Sequence, residues 1–126
     1  MGTGLRRRLA ELRRSDDDVA ADQLRHAAQD QGCVPVSQCL DRQVVTVAGS
    51  ITAVSRRPRG STPALVAELW DGSSPVDLVW LGRRRIVGVE PGTYLKATGL
   101  LCHPKDTATI YNPAYELLPG RGAARG

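Results

Sequence analysis

The chain has 126 residues, 41% of them hydrophobic and 24% charged, a length that suits one domain with modest extra segments. No apolar stretch approaches the roughly 20 residues that a membrane-spanning helix needs, and the charged N-terminus does not resemble a signal peptide, so we expect a cytoplasmic protein. The formal net charge of +4 weakly favours anionic partners, and every one of the 17 basic side chains except Lys96 and Lys105 is an arginine.

The cysteine and histidine positions argue against a disulfide framework and against a zinc site. Cys33, Cys39 and Cys102 are odd in number and lack the secretory context in which disulfide frameworks form. Cys33 and Cys39 are too far apart for a zinc knuckle, and His26 and His103 add no ligand spacing. We therefore expect unpaired thiols, no metal site and no cofactor.

The first 40 residues form a predicted helical arm. Residues 5–14 place leucines at helical spacing, and Ser15 before three aspartates is typical of a helix start. A second helical segment over about 16–30 should end at Gly32, and its predicted inward side chains are Val19, Ala20, Leu24 and Ala27. We expect this arm to dock on the domain or to join copies of the chain into a homo-oligomer.

From residue 41 the sequence becomes rich in β-branched residues that alternate with small or polar ones, which is typical of strands. We predict five strands, over about 42–57, 64–70, 75–81, 93–102 and 107–118, the last one broken at Pro113. Gly49 inside the first strand indicates a bulge or a sharp bend. The connection over 82–89 has room for one helical turn or a loop. Residues 119–126 are a predicted disordered basic tail.

This order of elements predicts an all-β domain with short helical additions over residues 41–118. A long, bent first strand, two further strands, a short helical candidate and two last strands follow the order of a five-stranded OB-fold Greek-key barrel. An SH3-like barrel is the alternative. It would explain the strands but not the long connection between Gly82 and Gly92.

The alternation within the strands assigns the aromatic side chains to faces. Trp70 is out of phase with the apolar row that starts at Leu65, so it should point outward. Trp80 is in phase with Val76, and the sequence leaves open whether that row faces the core or the ligand. Tyr94 alternates with apolar neighbours and is a further candidate for exposure.

The acidic residues show no arrangement typical of catalysis. We place Glu68 and Asp77 in opposite phases of their strands, which separates the two carboxylates that acid–base catalysis would need to pair. Asp71 is explained as the turn residue of an Asp-Gly pair. The sequence also contains no GxSxG, HExxH or glycine-rich phosphate loop. We therefore expect a protein that is not an enzyme.

Four stretches together resemble a known family. "VAGSITAVSRRP", "LVAELWDGSSPVDLVWLGRRRI", "PGTYLKATGLL" and "IYNPAYELL" are similar to OB-fold nucleic-acid-binding domains, from about Arg42 to Leu118. The groups it most resembles are small stand-alone OB-fold proteins of high-GC Gram-positive bacteria and the wedge domain of the bacterial helicase that remodels branched DNA. The chain differs from that helicase in having no motor loop of the GxxxxGK[ST] type and in a turn that reads "DGSS". The resemblance implies that the first three strands and their flanking loops form the ligand face.

The predicted function is sequence-tolerant, non-catalytic binding of single-stranded or branched DNA, or of RNA. OB barrels bind single strands by stacking bases on exposed aromatic side chains, beside cations that contact the phosphates. The predicted binding residues are Arg56, Arg57, Arg59 and Lys105 for the phosphates, and Trp70, Trp80 and Tyr94 for the bases.

One further expectation concerns residues outside this predicted groove, and another concerns the function itself. The run of Arg83, Arg84 and Arg85 belongs to the connection near the far end of the barrel, where it would serve another partner or only solvation. The alternative function is a protein-interaction or oligomerisation module on the same barrel. The low aromatic content of 4% and the apolar stripe of the arm favour that alternative.

Overall fold

The computed structural model describes residues 19–58 and 60–119 of the chain. It is mostly β, with one N-terminal helix, α1, whose described part covers residues 19–30. Short 3₁₀ turns cover Val36–Gln38 and Pro104–Asp106. The predicted helix over 5–14, the side chain of Arg59 and the tail from residue 120 lie outside the described residues. The six strands are β1 (Val44–Arg56), β2 (Ala64–Trp70), β3 (Pro75–Leu81), β4 (Tyr94–Cys102), β5 (Thr109–Tyr111) and β6 (Ala114–Leu118).

The six strands form one sheet in which five strands close a ring. The order around the ring is β1-β2-β3-β5-β4 and back to β1, and β6 extends the pairing along β4. Neighbouring strands are antiparallel, except for the parallel pair of β3 and β5. The predicted break at Pro113 is confirmed, because residues 112–113 separate β5 from β6 where Asn112 adopts a φ of 49°.

The long first strand closes the ring by changing partners halfway. Its residues 44–50 pair with β4, and its residues 50–56 pair with β2. The register shifts between Ile51 and Ala53, which is the irregularity that Gly49 predicted nearby. A Cβ atom at Gly49 would overlap the carbonyl oxygen of Trp70, so the close approach of β1 to the end of β2 requires glycine at this position.

The connection between β3 and β4 contains turns and no helix, so of the two predicted alternatives the loop is the one observed. Ile86 and Val89 in this connection are buried and belong to the main core. They cover one end of the ring. The connection is tied to the loop between β1 and β2, because the backbone N–H of Gly82 donates to the carbonyl oxygen of Pro63 at 2.7 Å.

The main core lies inside the ring and takes alternate residues from each strand. The predicted inward row of β2, Leu65, Ala67 and Leu69, is confirmed, since these side chains are at most 3% exposed. Trp80 is in the same core and is 6% exposed. Burial of these aliphatic side chains is the main source of stability, at roughly 25 cal/mol for each Å² of apolar surface removed from water.

Helix α1 packs on the outside of the ring over a second, smaller core. Ala28 and Cys33 are buried there against Ala48, Tyr94 and Leu118. The helix ends as Gly32 predicted. Gly32 has a φ of 73° and donates to the carbonyl of residue 29, and Cys33 donates to the carbonyl of Ala28. This pair of bonds is a Schellman motif.

The prediction of which face of α1 points inward is wrong in part, because the observed face is rotated about the helix axis by part of a turn. Val19 is 54% exposed and Ala20 is exposed, whereas Leu24 and Ala27 do pack against the second core. The side that faces the ring also includes Ala21 and Arg25, which lie against the turn between β2 and β3. The inward face differs from the predicted apolar one because the helix packs against a polar turn as well as against an apolar sheet.

Asp71 links α1 to that turn and is fully buried. Its Oδ2 accepts hydrogen bonds from Arg25 Nη1 at 3.0 Å and from the Val36 backbone at 2.8 Å. Its Oδ1 accepts from the Ser73 backbone at 2.8 Å, the Ser73 hydroxyl at 2.7 Å and the Ser74 backbone at 3.0 Å. Asp71 is therefore the turn residue that the sequence predicts and also the residue that joins three segments of the chain.

Candidate nucleic-acid interface

Two of the three predicted stacking residues are buried. Trp80 is 6% exposed, and its indole Nε1 donates to the carbonyl of Pro113 at 3.2 Å while its ring meets Tyr115 edge to face at 5.6 Å. Tyr94 is 3% exposed, because α1 covers the outer side of β4 where it lies. Of the two alternatives left open for Trp80, the structure shows the core, and the expectation that Tyr94 is exposed is wrong. The two rings stabilise the two cores.

Trp70, the third predicted stacking residue, is half-buried at the end of β2. Its strand neighbours are Ser50 on β1 and Pro75 on β3. It is out of phase with the inward row, as the alternation predicts. A role in binding bases stays a prediction for this residue.

The side of β1, β2, β3 and β5 that faces away from the main core is called the outer face here. A small apolar cluster lies on it, with Val66 paired to Val79 and Val79 paired to the half-buried Tyr111. Alternation along the chain does not predict a place for Tyr111 on this face. The parallel pairing of β5 with β3, which alternation cannot reveal, brings it there.

The outer face also carries two neighbouring carboxylates. Glu68 and Asp77 are direct cross-strand partners, so the prediction that they lie in opposite phases is wrong. Burial raises the pKa of Asp77, the guanidinium of Arg57 opposes that rise, and the charge of Glu68 adds to it. Glu68 accepts a hydrogen bond from the hydroxyl of Thr52 at 2.8 Å. Two acidic groups make this centre of the face unfavourable for phosphates.

The predicted cations Arg57 and Lys105 lie at opposite ends of the outer face. Arg57 directly follows β1, where its backbone N–H donates to the carbonyl of Ala64. Lys105 belongs to the short turn before β5 and is exposed, with a φ of 52°. The structure does not bring these two cations together. Arg57 lies within electrostatic reach of Asp77, which partly neutralises it.

Arg56 points to a different place. It pairs with Leu65, so its side chain leaves the strand on the core side, at the end of the ring. There it lines an open hollow of about 280 Å³ together with Arg84 and Arg85. The floor of this first hollow is apolar, formed by Val54, Leu65, Ile86 and Val89.

Arg56 and Arg84 also line a second, adjoining hollow of about 310 Å³. Its other walls come from the loop between β1 and β2, and they are Pro58, Ser61, Pro63 and Ala64. No acidic residue is among the described residues that line either hollow. The two guanidinium groups therefore stand between two concave surfaces, the first with an apolar floor below polar walls and the second mostly apolar.

The expectation that Arg83, Arg84 and Arg85 serve a separate end of the barrel is wrong for the last two. β2 and β3 are antiparallel, so the loop before β2 and the connection after β3 lie at the same end of the ring. The bond between Gly82 and Pro63 holds these two segments together. The hairpin order alone could have predicted the meeting of Arg56 with Arg84.

The residues 19–58 and 60–119 offer no evident metal site, since no group of three or more His, Cys, Asp or Glu side chains comes together there. Within the same ranges no helix has the length and apolar character to cross a membrane. Burial raises the pKa of the Cys33 thiol and of the Cys39 thiol, which makes both less reactive than an ordinary cysteine at neutral pH.

No family model matches the sequence, and no curated protein matches it. Among solved structures, the chain is similar to RecG bound to a three-way DNA junction, with a TM-score of 0.53 and 22% sequence identity. The match covers 71% of this chain and 13% of the RecG chain. At this level of identity the likeness shows the fold, and this chain spans only a small part of the length of RecG.

Proposed function

We propose that the ring is an OB-fold barrel and that the protein binds nucleic acid through the end of that barrel, without catalysis and with little dependence on base sequence. The strand order, with its parallel pair of β3 and β5 and its long first strand shared by two neighbours, supports the OB-fold assignment. One observation carries the function. Arg56 and Arg84, 28 positions apart in the chain, line the same two hollows, and no acidic residue is among the described residues of those walls.

The chemistry of the two arginines favours phosphate as the ligand. A guanidinium group is planar, stays charged and donates several hydrogen bonds in a fork that fits phosphate oxygens. Phosphate contacts position a nucleic acid and carry no sequence information, which is why we expect sequence-tolerant binding. Arg57, Arg59, Lys105 and Trp70 remain in the proposal as secondary contacts, with Arg57 weakened by the neighbouring Asp77.

The likeness to RecG supports this proposal at the level of the fold. RecG is a protein solved on a three-way DNA junction, so a related arrangement of strands is compatible with contact to single-stranded or branched DNA. We propose single-stranded or branched nucleic acid as the partner of this chain also. The remaining length of RecG has no counterpart here, so the proposal includes no other activity of that protein.

The test is a titration of labelled single-stranded oligomers of DNA and RNA, followed by fluorescence anisotropy at several salt concentrations. The variant Arg56→Gln/Arg84→Gln removes both guanidinium groups from the shared wall. We expect weaker binding and a log–log salt slope shallower by about 1.4, since each phosphate contact on a single strand contributes about 0.7. The matched control is Arg83→Gln, because Arg83 is exposed and is not among the residues that line either hollow.

Two results would overturn the proposed function. One is the absence of binding to any oligomer at low salt. The other is the same weakening per removed charge in the control and in the double variant, which would show that the net charge of the protein, and not this wall, attracts the ligand.

A second candidate is a protein-interaction module, and one observation favours it. Val87 is 85% exposed, and Leu117, which is 42% exposed, lies against Gly88 in the same connection. Tyr115, 40% exposed, precedes Leu117 on β6. Sedimentation equilibrium of the full chain and of Val87→Ser/Leu117→Ser tests this candidate. A self-associating chain that the double substitution makes monomeric would favour it, whereas a monomer at every concentration would argue against self-association.

A further inference from the structure

The two hollows at the barrel end share a wall, and this arrangement carries information about the ligand. Arg56 and Arg84 line both hollows, so they mark the boundary between them. On one side the floor is aliphatic, from Leu65, Ile86 and Val89. On the other side Pro63 and its neighbour Ala64 form the surface. The pattern is an apolar surface, a pair of cations and a second apolar surface.

The size of each hollow suits a small flat group. Volumes of about 280 and 310 Å³ are at or below the lower end of the range found for drug-sized ligand pockets. Each hollow is therefore suited to one fragment, such as a base with its sugar. A guanidinium pair between two such fragments lies where a bridging phosphate would stand.

We propose that the two hollows hold two successive nucleosides of a single strand, with the phosphate that joins them bound between Arg56 and Arg84. Arg85 lines the first hollow but not the second, so in this arrangement it faces the next phosphate along the strand. This inference rests on the proposed function and names its ligand more closely. It places the contact at the end of the ring, away from the outer face that Glu68 and Asp77 occupy.

The apolar surfaces of the hollows select single strands over duplexes. In a duplex the flat faces of the bases are stacked on one another and the phosphates lie outside, so a duplex could offer these hollows only its charged backbone. An unpaired base can leave its stack and place its face on an apolar surface, and this contribution does not depend on which base it is. We therefore expect binding that is sequence-tolerant but strand-selective.

The experiment compares two small probes on the full chain by amide NMR. The first probe is the thymidine dinucleotide TpT, which has two bases and one bridging phosphate. The second is the same dinucleotide with both bases replaced by hydrogen. We expect TpT to shift the amide signals of Ser61, Ile86 and Val89. We expect the abasic probe to bind at least tenfold more weakly, because it lacks both apolar base faces and burial of about 60 Å² of apolar surface is already worth about tenfold.

The variants and a duplex separate this inference from the function on which it rests. We expect Arg56→Gln/Arg84→Gln to abolish the shifts and Arg83→Gln to preserve them. We also expect a blunt duplex to bind only through its charged backbone, with an affinity that falls as the salt concentration rises. Such binding should leave the amide signals of Ile86 and Val89 unshifted. The folded state of each variant is checked from the dispersion of the remaining amide signals.

Each outcome has a defined meaning. Equal binding of TpT and the abasic probe, with both lost in the arginine double variant, would overturn the two-nucleoside site and leave phosphate binding in place. Shifts confined to the outer face, at Val66 or Tyr111, would overturn the location. Failure of both probes and of longer oligomers to bind at low salt would overturn the proposed function itself.

Discussion

Asp71 offers the sharpest test of how this fold is held together, through the substitution Asp71→Asn. One carboxylate oxygen accepts from Arg25 and from the backbone of Val36, and the other accepts from Ser73 and Ser74. Asparagine has the same shape but only one accepting oxygen, and its amide group donates. The substitution therefore keeps one set of bonds and places a donor against the donors of the other set.

The magnitude follows from the set that is lost. Suppose that asparagine keeps the turn with Ser73 and Ser74. A buried backbone N–H at Val36 then has no acceptor, at a cost of about 1–3 kcal/mol, and a charge-assisted bond worth about 1.5–3 kcal/mol is lost at Arg25. The side chain of Arg25 is 20% exposed and can turn partly to water, which reduces the second contribution. We expect a net loss of about 3 kcal/mol in the free energy of unfolding.

The assay is urea unfolding followed by tryptophan fluorescence. With an m value of about 1–3 kcal/mol per M, a loss of 3 kcal/mol lowers the midpoint by about 1–3 M. The matched control is Asp77→Asn, which makes the same chemical change at a carboxylate for which no hydrogen bond is found among the described residues. A midpoint for Asp71→Asn that falls no further than that of Asp77→Asn would refute the reasoning. A double-mutant cycle with Arg25→Gln should show a coupling of about 1–3 kcal/mol.

Three further predictions concern a glycine, a carboxylate and a thiol. Gly49→Ala should destabilise the fold by about 3 kcal/mol or prevent folding, because its Cβ would overlap backbone atoms of Trp70; the urea midpoint measures this. Asp77→Asn should stabilise the protein at pH 7. Burial raises the pKa of Asp77 in the folded state, so above that pKa the ionised carboxylate disfavours folding. The stability gained by the substitution should therefore vanish as the pH falls through the folded pKa towards the unfolded value of 3.8. Cys33 should react with a thiol reagent more slowly than Cys102, because burial raises the pKa of the Cys33 thiol and α1 covers it; single-cysteine variants give the two rates.

Each of these predictions has a control within the same chain. Gly99→Ala also adds a methyl group in a strand, but the methyl meets a side chain, that of Ile110, and no backbone atom as closely as at Gly49, so the loss should be smaller than at Gly49. An unchanged difference between Asp77→Asn and the wild type from pH 7 to pH 4 would contradict the pKa argument. For Cys33, the substitution Asp71→Asn should accelerate labelling because it loosens α1, and an unchanged rate would contradict the role assigned to that contact.

The course of the strands could be predicted from local pattern. Burial in a strand alternates with period two, so residues such as Leu65 and Leu69 reveal the inward row without knowledge of their neighbours. Gly49 and Pro113 are also local signals, because one permits a close approach of backbones and the other cannot continue a paired strand. These signals established five strands, a bend in the first and a break in the last, and they placed the end of α1 at Gly32.

The tertiary structure decided what covers each face. Alternation correctly separates Tyr94 from the inward row, but only the docking of α1 on β4 buries it. The pairing of Glu68 with Asp77 and the place of Tyr111 depend on strand register and on a parallel neighbour, which are non-local. The meeting of Arg56 with Arg84 follows from the antiparallel pairing of β1, β2 and β3, which brings the ends of β1 and β3 to the same end of the sheet. A period of two along a strand specifies two faces, and the fold alone specifies what lies against each of them.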